Sequence, residues 1–226
     1  MTPFRSTALA RRVTKRKYYV CVLLGALACV AGCKVVPSPR PSSVTAINPG
    51  ILHPPGELSP DFVVEQHVVI RKGDKEGAFD GVLQKRGDEL ILVGLGPMGV
   101  RAFVLRQIGS DAHVEQTMGP PLPFPARNIL VDVHRVFFKR LPIESDGVEG
   151  ERLGTVDGEE VVEIWRRGEL AERSFRRPAM HGAVRVIYGP GCKASRCEPE
   201  TVRLVNEWFG YEISIDNRTF HSLQKS

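Results

Sequence analysis

Between residues 61 and 216, apolar and polar positions alternate with a period of two over most of the chain. In FVVEQHVVIR, Phe62, Val64, Val68 and Ile70 fall on one face, the pattern of a half-buried strand. GAFDGVLQKRGDELILVGLG predicts two strands about the turn KRGDE, and VRAFVLRQIGSDAHVEQTM repeats the arrangement about GSD. EEVVEIWRRGE, AERSFRR, AVRVIYG and TVRLVNEWFGYEISID predict further strands. In the last, Tyr211, Ile213 and Ile215 oppose Glu212, Ser214 and Asp216. The short turns, polar or glycine-containing, imply antiparallel meander order.

One segment switches to the helical period. PFPARNILVDVHRVFFKRLP places Ala126, Leu130, Val133, Phe137 and Leu141 on one stripe, with Ile129 and Val136 beside it. Val131 and Phe138 widen that stripe; Asn128, Asp132, Arg135 and Lys139 lie on the other side. Pro125 suits the first helical position and Pro142 stops the helix. The expected fold is mainly β (α+β): a long open antiparallel sheet of about 9–11 strands, its concave face covered by one central helix.

The ends of the chain change the picture of where it works. Residues 1–17 carry Arg5, Arg11, Arg12, Lys15, Arg16 and Lys17 and no acid, and an apolar run follows from Tyr18 to Gly32. As a helix that run would span only ~22 Å, short of the ~30 Å hydrocarbon core, which favours an export signal over a membrane span. It ends in Val30-Ala31-Gly32-Cys33, small residues before a cysteine, as in the bacterial lipobox. The expected organisation is therefore a lipoprotein signal peptide at 1–32 and a lipidated Cys33. No other cofactor is expected beyond the diacylglycerol and N-acyl chain on that cysteine. A Pro/Ser-rich tether at 33–60 precedes a single β domain at 61–221, with a tail at 222–226.

Removing the leader also removes the charge argument for a nucleic-acid partner. The whole chain has a net charge of +5, but six of its 31 basic residues lie in the leader. The remaining 25 face 26 acidic residues, a net of −1. Cys33, Cys192 and Cys197 stay with the mature chain. A disulfide between Cys192 and Cys197, across the turn GPGCKASRCEPE, is the expected state in an oxidising periplasm. Two free thiols are the alternative. Zinc would need two further ligands that no C-x-x-C or paired-histidine spacing supplies, so no metal site is expected.

Other motifs dissolve on inspection. GLGPMG at 94–99 matches G-x-G-x-x-G, but Pro97 interrupts it and Gly99 leads into the strand-like VRAFVL. A dinucleotide loop needs a helix there, so the glycines mark a hairpin tip. RGD at 86–88 lies in the turn KRGDE. His53, His67, His113, His134, His181 and His221 form no H-x-x-x-H, and no serine sits in a G-x-S-x-G elbow. No catalytic residue is assigned and an enzyme is not expected. Arg166-Arg167 and Arg176-Arg177 read as solvated turns.

Lipobox, Pro-rich tether, GAFDGVLQKRGDELILVGLGPMGVRAFVL, the apolar helix and the closing VRLVNEWFGYEISI together resemble a family of bacterial lipoproteins of unknown function. That family is placed with the LolB-like outer-membrane lipoprotein receptors. The likeness spans about residues 62 to 216 and is sharpest over 78–105. It implies a curved antiparallel half-barrel (LolA/LolB-like) whose helix lids an apolar cavity for acyl chains. It also implies a monomer at the outer membrane, facing the periplasm, with membrane lipid, acyl-chain cargo and a periplasmic LolA-like carrier as partners. Lys34 after the cysteine, in place of aspartate, agrees with outer-membrane sorting. The family's frequent association with aryl-polyene pathways would make a lipid-linked polyene one such cargo. Pro97-Met98-Gly99 falls on the receptors' Pro-Leu-Gly turn, whose leucine takes part in membrane delivery, so a membrane tip is implied there. Phe79, Leu83, Phe103, Leu105, Leu130, Phe137, Trp165 and Trp208 are the expected cavity linings. The competing reading is a non-catalytic assembly or scaffold lipoprotein, which would have a filled interior.

The anchor is directly testable. Mass spectrometry of the mature N-terminus should find Cys33 acylated, and Cys33→Ser should yield uncleaved or soluble protein without acyl chains. An unmodified Cys33, or cleavage elsewhere, would remove the lipoprotein reading.

Overall fold

The computed structural model describes residues 48–116, 122, 124–142 and 149–223. The predicted leader, Cys33 and the tether up to residue 47 lie outside the described residues, as do 224–226 of the tail. Eleven strands form one antiparallel, open, curved sheet: β1 (Asp61–Lys72), β2 (Lys75–Arg86), β3 (Glu89–Leu95), β4 (Arg101–Ile108), β5 (Asp111–Gln116), β6 (Gly150–Val156), β7 (Glu159–Arg166), β8 (Glu169–Arg176), β9 (Val184–Tyr188), β10 (Thr201–Asn206) and β11 (Tyr211–Leu223). Their order across the sheet is β5-β4-β3-β2-β1-β11-β10-β9-β8-β7-β6. The chain thus walks outward from the centre to one edge. It crosses through α1 (Ala126–Phe137) to the opposite edge and walks back until β11 pairs with β1. Fold class and meander order agree with the expectation from periodicity.

Three boundaries differ from that expectation. Strand β6, GERLGTV, was not among the predicted strands: its glycines and charges give no apolar face, because an edge strand buries little. Residues 48–58 are not tether. Asn48, Leu52, Pro55 and Leu58 are buried, and Leu52 joins the core cluster with Phe62, Leu83, Leu90 and Leu130. Composition missed this because few large apolar residues suffice when the backbone itself is gripped. The Arg127 guanidinium donates to Asn48 O (2.5 Å) and Gly50 O (2.6 Å), and Asn48 N donates to Asn128 Oδ1 (2.8 Å). The helix, finally, has Pro125 as its N-cap and ends at Phe137, short of Leu141 and Pro142. Side chains of the sheet take its last carbonyls: Tyr188 OH donates to Val136 O (2.9 Å) and Arg173 Nη1 to Arg135 O (3.3 Å).

The helix side predicted to carry only polar residues is the one the fold buries most deeply. Asn128, Asp132, Arg135 and Lys139 are each at most 3% exposed. Arg135 and Lys139 meet Glu159 of β7, a strand on which Glu159 and Glu163 share the buried face with Val161 and Trp165. Arg135 bridges the two layers, with Nη1 2.9 Å from Asp132 Oδ1 and Nη2 2.6 Å from Glu159 Oε1. Its guanidinium also lies over the rings of Trp208 (4.9 Å) and Phe175 (5.7 Å). Lys139 Nζ pairs with Asp157 Oδ2 at 2.9 Å and faces Glu159 Oε2 at 3.7 Å. Arg177 reaches Glu159 at 3.1 Å and so is not the solvated turn its sequence suggests. Glu163 accepts from Arg173 Nε (2.9 Å), Trp165 Nε1 (3.2 Å) and Leu141 N (3.2 Å).

Removing the cation at the centre of this network should be costly, because two buried carboxylates would each lose their closest cationic partner. Arg135→Met is expected to lower unfolding free energy by about 3–5 kcal/mol, read from urea midpoints at unchanged m-value. A loss under about 1 kcal/mol would show that Asp132 and Glu159 are satisfied without it.

Candidate functional site: an apolar cavity beneath the helix

Between α1 and the concave face lies a cavity of about 880 Å³, toward the upper end of the ~300–1,000 Å³ usual for small-molecule sites. Val68, Ile70, Phe79, Phe103 and Ile213 form its floor, and Ile129, Val133, Val136 and Phe137 its roof. The floor occupies one end of strands β1 to β4, the end that bears turns 73–74 and 96–100. At the other end of the same strands, Phe62, Val64, Leu83, Leu90 and Leu105 close against Leu130, Val131 and Leu52. The arm at 48–58 therefore plugs the sheet where the cavity stops. Exposed residues 72 and 75–78 line the cavity's rim, together with Gly96 of the next hairpin.

Of the expected linings, Phe79, Phe103 and Phe137 face the cavity. The rest do not. Leu83, Leu105 and Leu130 belong to the packed end, and Trp165 is fully buried against β7–β10 residues such as Phe175 and Val184. Trp208 lies under Arg135 and donates to Gly182 O (3.2 Å). Alternation identifies the inward face but not the distance along a strand, and the cavity depends on that distance. Sequence reasoning missed Ile129, Val133, Val136 and Ile213 as linings, although their helical stripe and strand alternation were both legible. A glycine shapes one wall: a Cβ at Gly94 would lie 2.1 Å from the Phe103 ring, so the ring occupies the space a side chain would fill.

Polar groups in the cavity's interior, away from its rim, are already engaged. Tyr211 OH donates to Asp132 Oδ2 and accepts from Asn206 Nδ2 (2.9 Å). Gln66 Nε2 donates to Asn217 Oδ1 (2.8 Å). Burial pushes the Asp132 carboxyl above its ordinary range, against the pull of Arg135 and Tyr211. Burial and the Asp132 charge likewise push the Tyr211 phenol up. At Glu159 burial acts upward too, but Arg135, Lys139 and Arg177 together hold the carboxyl below its ordinary range. Burial raises Tyr188 to about 12. No three His, Cys, Asp or Glu side chains among the described residues are grouped to hold a metal ion.

The Pro97–Gly99 turn joins β3 to β4 at the cavity's end of the sheet. Met98 adopts φ 61°, ψ 21°, a left-handed conformation uncommon outside glycine, and its side chain is 97% exposed. The hairpin tip read from GLGPMG is thus the tip observed. Cys192 and Cys197 are joined by a disulfide beside β9, which anchors a loop to β8 through Leu170 N donating to Cys192 O (2.8 Å).

An open antiparallel sheet curved about an apolar cavity, with one helix as its roof, is a half-barrel in form. The chain belongs to the family described as protein of unknown function (DUF3261), whose sequence model matches residues 63–219. No curated protein matches its sequence. Among solved structures it is similar to a candidate outer membrane lipoprotein-sorting protein domain from Vibrio parahaemolyticus. That likeness is 9% identical with a TM-score of 0.45, over 75% of this chain and 88% of the other. It is also similar to a LolA superfamily protein from Nitrosomonas europaea (13% identity, TM-score 0.40, 74% and 87% covered). A DUF1329 family protein from Desulfovibrio piger gives 13% identity and a TM-score of 0.32 over 74% and 87%.

The histidine behind the helix offers a pH test. His134 is fully buried, its Nε2 2.8 Å from Gln107 Oε1. Gln107 donates its own Nε2 to His53 O and Gly109 O (2.7 and 2.8 Å), so its oxygen faces the imidazole and Nε2 of His134 carries the proton. Burial, with Lys139 and His53 nearby, lowers this imidazole from 6.5 to about 3. Between those values the unfolded chain holds more protons, so stability rises with pH and is lost as pH falls through the window. From pH 6.5 to 5, wild type should lose about 1.6 kcal/mol more than His134→Gln, which keeps the donor but does not titrate. Parallel stability curves would show that His134 is not held neutral.

Proposed function

We propose that this protein is a lipid-anchored envelope protein that accepts or delivers acyl chains through its cavity, without catalysis. Lipidated Cys33 would hold it at the outer membrane, facing the periplasm, and the remainder of the 33–47 segment would let the domain stand off the bilayer. The observation that carries the reading is the cavity: about 880 Å³ bounded mainly by aliphatic and aromatic side chains. A chain entering it leaves water at about 0.8 kcal/mol per methylene. A scaffold role would need no such space. The lining contains nothing that prefers a polyene to a saturated chain. Donor and acceptor are, by the same chemistry, another apolar cavity and a membrane.

Delivery needs contact with the bilayer, and Met98 supplies an apolar tip beside the cavity's rim. Its burial in lipid would contribute up to about 1.5–3 kcal/mol, and a carboxylate there would resist leaving water. The experiment uses a soluble form lacking the leader and Cys33, loaded with a fluorescent acyl probe and mixed with liposomes. Val133→Trp, which fills the cavity from the roof, should load poorly. Met98→Glu should load normally, keep its stability within about 0.5 kcal/mol, and release the probe to liposomes about tenfold more slowly or worse. Normal loading by Val133→Trp would overturn the cavity's role, and normal transfer by Met98→Glu would overturn the tip's.

A further inference from the structure

The rim of the cavity carries a charge arrangement that an empty apolar site does not require. Lys72 and Lys75 close the β1–β2 hairpin as directly opposed residues, and both line the cavity. Like charges placed opposite one another across an antiparallel pair destabilise it. Among the described residues no carboxylate pairs with either lysine. Glu76 is taken by Arg71 at 2.6 Å. Asp74, in the turn between the lysines, makes no ion pair with either, and neither ammonium has an ion-pair partner among the described residues. Lys72 Nζ instead rests 5.1 Å from the centroid of the Phe124 ring. Phe124 itself lines the cavity just before α1, so this ammonium stands at the boundary between apolar interior and solvent.

The interior offers no competing place for a charged group. Asp132 and Tyr211 are satisfied by one another, by Arg135 and by Asn206, and Gln66 by Asn217. A chain in the cavity would therefore leave its polar end at the rim, between two ammonium groups that have no ion-pair partner among the described residues.

We propose that the ligand is an amphiphile with an anionic headgroup, its chain in the cavity and its carboxylate or phosphate held between Lys72 and Lys75. This rests on the acyl-binding reading above and adds the headgroup to it. The anion would neutralise the opposed lysines and accept charge-assisted hydrogen bonds from both. Fatty acids and phospholipids share this chemistry.

Probes with one chain and different heads separate the possibilities. The full chain, stripped of bound lipid, is titrated calorimetrically at low salt with dodecanoate, dodecyl phosphate, dodecanol and dodecyltrimethylammonium. Both anions should bind about tenfold tighter than dodecanol, the scale of two partly screened ion contacts, and the cation more weakly than dodecanol. The preference should collapse in high salt and in the double variant K72Q/K75Q, whose melting temperature should not fall below the wild-type value and whose dodecanol affinity should stay unchanged. Tighter binding of dodecanoate than of dodecyl phosphate would assign the source to fatty acids, and the reverse to phospholipids; either supports the proposal. Equal affinity for anionic and neutral heads would overturn it while leaving the cavity reading intact. An anion preference that survives K72Q/K75Q would overturn the assignment to these lysines. Failure of every probe to bind would overturn the cavity reading itself.

Discussion

Arg135, held between Asp132 of its own helix and Glu159 of β7, is the contact on which the architecture turns. A single amphipathic helix over a sheet ordinarily docks its apolar stripe and fills the space beneath. Here the helix's apolar residues Leu130, Val131 and Val136 pack into the core clusters, while the polar side fixes where the helix docks. Long charged side chains reach from α1 to β7 and β8, and Tyr188 and Arg173 grip the helix's terminal carbonyls. With the helix fixed along that edge, Ile129, Val133 and Phe137 are left over β1–β4 and β11 without side chains close enough to fill the gap. The cavity is a consequence of where the ion network holds the helix. Such networks add little net stability over apolar packing, so their value here is positional.

The strand pattern was legible because alternation is a local consequence of one buried face, and the concave face uses it from Phe62 to Ile215. The helix's apolar stripe was legible for the same reason. Its polar side was not, because Asn128, Asp132, Arg135 and Lys139 are residue types that default to solvent. One signal could have corrected this. In EEVVEIW, Glu159 and Glu163 share a face with Val161 and Trp165, and two carboxylates on an apolar strand face demand buried cations. Arg135 on the helix and Lys139 just beyond its end meet that demand at Glu159, and Arg173 of β8 meets it at Glu163. The arm at 48–58 was opaque for a different reason: its attachment is mainly through backbone carbonyls to Arg127 and through Asn48, and backbone contacts leave no composition signature.

The arm matters to the site as much as the helix does. By packing Leu52 into the cluster at the far end of β1–β4, it fills that end of the concave face. The cavity is left to open toward turns 73–74 and 96–100. Identifying inward-facing residues therefore could not separate Phe79 from Leu83 or Phe103 from Leu105, pairs that share strand and face and differ only in distance from the plug.

That polarity bears on how a chain could leave. Moving an acyl chain between two apolar environments changes its free energy little, but an intermediate with ten methylenes in water would cost about 8 kcal/mol. At that height a transfer passing through solvent would be slower by a factor of about a million than one that does not. A carrier of the proposed kind therefore needs its mouth to meet the membrane continuously, and the rim, the basic hairpin and the Met98 turn all lie at one end of the sheet. A second opening at the opposite end would let the chain be wetted from behind as it moved. The arm packs where such an opening would be, so in a carrier of the proposed kind the segment nearest the proposed anchor would also help set the direction of release.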